Sequence, residues 1–120
     1  MRLLRSFLVG LALMASPALA QVATPGLPLV ALGYCQLTSI DAATALSSCS
    51  GGIPAGANTA IFEPEAQAIR YRDDGTAPTA SAGFPVAVGG SVLYSGALAN
   101  LRVISQTSGA KLNVLFYKSP

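Results

Sequence analysis

Residues 68–83, AIRYRDDGTAPTASAG, place a strand and a turn side by side. Side chains alternate across an extended chain at period two, so Ile69 and Tyr71 fall on one side and Arg70 and Arg72 on the other. One face is expected to be buried and the other wet. Asp73-Asp74-Gly75 ends the strand: the aspartates accept hydrogen bonds from nearby backbone N–H groups, and Gly75 takes positive φ.

The same pattern recurs on both sides of this stretch. Runs of β-formers occupy 29–37, 57–63, 67–72, 84–88, 91–95, 101–105 and 112–118, separated by Gly, Pro, Asn and Ser. Spacings of about ten residues predict an all-β protein, an antiparallel β-sandwich that is jelly-roll-like or a related small barrel, with about seven or eight short strands. Pro64 is expected to end its strand or confine it to an edge. Residues 38–46 are ambiguous, because Ser39 or Asp41 has the chemistry to cap a short helix through Ala42, Ala43 and Ala45. Residues 47–56 are loop, and 76–83 are expected to cross an end of the sheets. The runs 101–105 and 112–118 are expected to pair as a hairpin around 106–111, with Gly109 free to take positive φ.

The first twenty residues have the form of an export leader. Arg2 and Arg5 give a positive start, 7–15 an apolar core, Pro17 a break, and Ala18-Leu19-Ala20 a small-residue cleavage pattern. The apolar run is shorter than the roughly twenty residues a bilayer span needs, so no stable membrane span is expected after cleavage. Residues 21–28 (QVATPGLP) read as an extended N-terminal arm and 29–120 as the β-sandwich domain. The whole chain carries seven Lys and Arg against five Asp and Glu; without Arg2 and Arg5 the count is five against five. Such a neutral domain lacks the basic patch that binds nucleic acid. Cys35 and Cys49, the only cysteines, are expected to form a disulfide in an exported chain.

Catalytic chemistry has little to draw on. The chain has no histidine, which removes Ser-His-Asp and Cys-His mechanisms. Glu63 and Glu65 share one strand face and read as solvated charges rather than a glycosidase pair. Asp73 and Asp74 supply too few oxygens for a calcium site and read as turn residues. Ser108 and Lys111 fit an S-x-x-K pattern, but they fall in an expected turn and lack its companion motifs. No cofactor and no enzymatic activity are expected. Arg70, Arg72 and Arg102 are the candidate interaction residues. With Tyr94 or Tyr117 nearby they suit a carboxylate, a sugar ring or a partner surface, and ion pairing with the acids is the plainer account.

From about residue 60 to 117 the chain resembles a group of small proteins of tailed bacteriophages and prophages. The resemblance is carried by IRYRDDGTAPTASAG (69–83), LYSG (93–96) and SGAKLNVLFY (108–117). It implies a compact virion-associated β-domain with a structural role, of decoration or fibre type, and no catalytic residue. Its partners would be other protein subunits, including copies of itself. The leader departs from that pattern and points instead to an exported periplasmic or secreted interaction module stapled by one disulfide. The alternation at 68–72 generates a test: Tyr71→Asp is expected to unfold the domain and Arg72→Ala to leave it folded. Equal melting temperatures for the two variants would contradict the assigned facing.

Overall fold

The computed structural model describes residues 28–120. The expected leader, 1–20, and residues 21–27 of the expected arm lie outside the described residues. Eight strands follow one another: β1 (Val30–Leu37), β2 (Thr44–Ala45), β3 (Thr59–Glu65), β4 (Ile69–Arg72), β5 (Phe84–Val86), β6 (Val92–Ser95), β7 (Arg102–Ser105) and β8 (Lys111–Lys118). They form two antiparallel sheets, sheet A in the order β1-β8-β3-β6 and sheet B in the order β2-β7-β4-β5. The pairing is nested: first with last, second with seventh, third with sixth, fourth with fifth. This is the strand order of an eight-stranded jelly roll. The all-β sandwich expected from the sequence is the fold observed.

Alternation along each strand builds the core. Ala60, Phe62 and Pro64 of β3 and Leu112, Val114 and Phe116 of β8 point inward from sheet A. Ile69, Val86 and Val103 meet them from sheet B, and Ile40, Leu46, Leu98 and Leu101 close the ends. Each large apolar side chain removed from water contributes about 1.5–3 kcal/mol. A tight corner between β3 and β4 carries the chain from one sheet to the other, with Ala66 at φ 70° and the Gln67 N–H donating to the Glu65 carbonyl at 2.9 Å.

The Cys35–Cys49 disulfide forms, with Cα atoms 5.8 Å apart. It joins β1, the edge of sheet A, to the residue that ends the 3-10 turn (Leu46–Ser48) following β2, the edge of sheet B. One side of the sandwich is thereby closed covalently. A loop of this size adds about 3 kcal/mol by restricting the unfolded chain.

Four local expectations are corrected. Residues 38–46 contain no α-helix: Ile40 and Leu46 are buried, and Asp41 accepts from the Ser108 hydroxyl and the Gly109 N–H instead of capping a helix. Strand β3 runs through Pro64, whose carbonyl accepts from the Gly89 N–H on the side away from β8. On that side pairing with β6 stops at Phe62, so the missing proline N–H leaves no ladder bond broken. Strands β7 and β8 do not form a hairpin; they lie in opposite sheets, joined by a corner in which Ala110 is buried. Residues 76–83 do not cross between sheets but connect β4 to its neighbour β5 within sheet B.

Candidate functional site

Opposite the disulfide, the two edge strands β5 and β6 face each other across the open side of the sandwich. Tyr71 and Phe84 are register partners on β4 and β5, with ring centroids 5.3 Å apart. Tyr94 comes from β6 of the other sheet, where its register partner is the buried Ala60. These three aromatics, with Arg72, Asp73, Asp74 and Gly83, line a cleft of about 370 Å³. Tyr71 is held from behind by Phe62, edge to face, with centroids 5.1 Å apart. Phe84 leaves 62% of its surface exposed although it belongs to an inward row, because no strand continues sheet B beyond it.

The polar side of the cleft is ordered by its own bonds. Tyr94 donates its hydroxyl to Asp73 Oδ2 at 2.9 Å, linking the two sheets. Arg72 makes a two-pronged contact with Asp74, Nε to Oδ1 at 3.0 Å and Nη2 to Oδ2. Asp74 Oδ1 also accepts from the Thr76 N–H, and Gly75 has φ 86°, as the turn chemistry requires. The Arg72 hydrogen bond holds the Asp74 carboxyl down at about 2. Burial first, then Asp73, pushes the Tyr71 and Tyr94 hydroxyls above the usual tyrosine range.

The other two candidate arginines have different places. Arg70 donates from Nε to the Ala80 carbonyl at 3.1 Å and from Nη1 to the Gly83 carbonyl at 2.8 Å, so it fastens the β4–β5 connection. Gly83 has φ 140°, and a Cβ there would stand 3.1 Å from Arg70 Cβ and 3.2 Å from both Pro78 Cβ and the Tyr71 carbonyl oxygen. The loop can pass so closely only because this residue is glycine. Arg102 is exposed, register partner of Arg72. Like charges directly opposite each other repel, and Asp74 relieves that repulsion by neutralising Arg72. Tyr117 lies in sheet A, away from all three arginines in sheet B.

A second surface lies on the outer face of sheet A. The register aligns Tyr34, Leu115, Ile61 and Leu93 in one row across all four strands. Tyr34 is 61% exposed, Leu115 42% and Leu93 65%. Beside this row runs a polar one: Gln36 and Asn113 both donate to Glu65 Oε2, at 3.2 and 3.1 Å, and Tyr34 donates its hydroxyl to Asn113 Oδ1 at 2.7 Å. Glu65 is thus held by two amides. Elsewhere, Ser108 spends its hydroxyl on Asp41, 2.6 Å away. Ser108 and then the Gly109 N–H lower the Asp41 carboxyl below its usual range. Among the described residues no group of His, Cys, Asp and Glu converges as a metal site, and no helix is long and apolar enough to cross a membrane.

Sequence reading marked Arg72, Asp73 and Asp74, but it missed Phe84 and the partnership of Tyr94 with Asp73. Phe84-Pro85 after a glycine was the available signal, an aromatic at a strand start. The cross-sheet approach of Tyr94 depends on topology alone. No protein-family model matches the chain, and no curated protein or solved structure matches it significantly.

The Arg72–Asp74 pair fixes a pH dependence. Asp74 has a folded value near 2, below the unfolded aspartate value of about 3.9, so its stabilising contribution is complete above about pH 5. That contribution is lost as pH falls from about 4 to about 2. Denaturant midpoints measured at about pH 6 and about pH 2.5 are expected to differ less in Asp74→Asn than in the natural chain. An unchanged difference would contradict the pairing.

Proposed function

We propose that this chain is a non-enzymatic structural and interaction protein that assembles through the outer face of sheet A, with a second copy of itself as the neighbour. The observation that carries this reading is the row Tyr34–Leu115–Ile61–Leu93, in register across four strands and left open to water. The solvent side of an antiparallel sheet ordinarily alternates to polar residues, and a contiguous apolar patch marks an interaction site. Here the apolar row has a hydrogen-bonded polar rim of Gln36, Asn113 and Glu65, the arrangement of an interface core and its margin.

A second copy fits this surface best. A two-fold axis parallel to the sheet, lying in the plane of contact, turns one face onto the other and lays row against row, so the patch can serve as its own complement. Charge does not oppose the contact: among the described residues Arg70, Arg72, Arg102, Lys111 and Lys118 balance Asp41, Glu63, Glu65, Asp73 and Asp74, five against five. Proteins near zero net charge associate readily. The phage resemblance supplies a setting for such a subunit, as a decoration or fibre component of a virion. Sedimentation velocity is expected to show a concentration-dependent dimer or larger assembly. Leu93→Lys and Leu115→Lys should each shift it to monomer while the circular dichroism spectrum stays unchanged. A natural chain that remains monomeric at every concentration, or variants that associate as before, would overturn the reading.

The disulfide favours a second setting, an exported interaction module in an oxidising compartment. Intact mass after separation of periplasm, cytosol and sedimenting particles distinguishes the two. Export predicts a periplasmic species that starts at Gln21 and whose thiols label only after reduction. A full-length or reduced species sedimenting with particles would contradict export and support the virion.

A further inference from the structure

The open side of the sandwich carries a separate property, independent of the sheet A face. The geometry points to the cleft between β5 and β6 as a binding site for a neutral carbohydrate, with Phe84 as the stacking platform and Asp73 and Arg72 as the hydroxyl-binding groups.

Three observations combine. The first is an uncovered aromatic face. Phe84 is 62% exposed, and Tyr71, tilted 54° to it, fixes its position from one side. The face of an aromatic ring is electron-rich, and the C–H bonds on one side of a pyranose ring present a complementary positive edge. The second is the pairing of that platform with fixed donors and acceptors. Asp73 uses Oδ2 for the Tyr94 hydroxyl, and no described residue donates to its Oδ1. Arg72 commits Nε and Nη2 to Asp74 and keeps Nη1 uncommitted among the described residues. A sugar hydroxyl donates and accepts at once, so a cleft lined by both a carboxylate oxygen and a guanidinium N–H offers a partner for each role. Both groups are already held in place, so binding costs little side-chain entropy.

The third observation is shape and charge. The cleft, about 370 Å³, lies within the size range of small-ligand sites, and its open flank lets a chain continue beyond one bound residue. Arg72 against Asp73 and Asp74 leaves the lining one negative charge in excess. That balance disfavours anionic sugars and phosphates. A quaternary ammonium, the other ligand that aromatic clusters take, neither donates nor accepts hydrogen bonds and so makes no use of Asp73 Oδ1 and Arg72 Nη1.

The test is a backbone-amide NMR titration of the full domain with maltotetraose, cellotetraose, chitotetraose and choline as separate probes. At least one oligosaccharide is expected to shift the amides of residues 71–74, 83–84 and 94 in a saturable way. Phe84→Ala, at an exposed position, should weaken that binding about tenfold or more, and Asp73→Asn by a similar factor. Lys118→Ala, exposed on β8 beside β1, should leave it unchanged. Spectra of the free variants that overlay the natural chain outside the cleft establish that they are folded. Absence of saturable shifts with all three oligosaccharides, binding unaffected by Phe84→Ala, or cleft shifts with choline alone would each overturn the proposal.

Discussion

Phe62 and Tyr71 meet edge to face across the core, and the architecture turns on that contact. One belongs to β3 in sheet A and the other to β4 in sheet B, with only the Ala66 corner between their strands. Once these rings are opposed, β3 must lie over β4. The nested partners then fall into place, β8 and β6 beside β3, β7 and β5 beside β4. Such an arrangement places almost every stabilising contact between residues distant in sequence, so the sandwich stands or falls as one unit.

The two flanks of the sandwich are finished differently. On the β1–β2 flank the disulfide ties the sheet edges together, and Cys35 and Cys49 are themselves part of the core. On the β5–β6 flank the side-chain tie is polar, Tyr94 to Asp73, and the aromatic interior reaches the surface. A rigid flank opposite an open one is a sound arrangement for recognition, because the aromatic rings of the cleft stand on strands, with Asp73 and Asp74 in the turn beside them. The outer face of sheet A is a different kind of surface. It carries one apolar row, in register across four strands, beside a polar one.

Strand alternation made much of this legible. Ile69 and Tyr71 face the core and Arg70 and Arg72 face outward, and the two cysteines pair. What alternation does not encode is which strand lies beside which. The runs 101–105 and 112–118 have the turn chemistry of a hairpin, yet Val103 and Leu112 are buried from opposite sheets. Long-range pairing with β4 and β3 outweighs the local turn. Pro64 misleads for a related reason, since its cost depends on whether a partner strand is present on its N–H side. Among the arginines, sequence grouped three residues to which the fold gives different partners: Arg70 serves the β4–β5 loop, Arg72 pairs with Asp74 at the cleft, and Arg102, its neighbour across the ladder, is exposed on the sheet face. The exposed row on sheet A was not legible at all. Its members are one residue from each of four strands, and register alone brings them into line.

The proposed assembly through the outer face of sheet A rests on that row and on the balance of charge. Isotope-filtered NOE spectroscopy on a mixture of carbon-13-labelled and unlabelled copies tests this most directly. The account predicts intermolecular contacts from the methyl groups of Ile61, Leu93 and Leu115 to the same row of the neighbouring copy. Intermolecular contacts confined to other surfaces, such as the β5 edge or Val30, would contradict it.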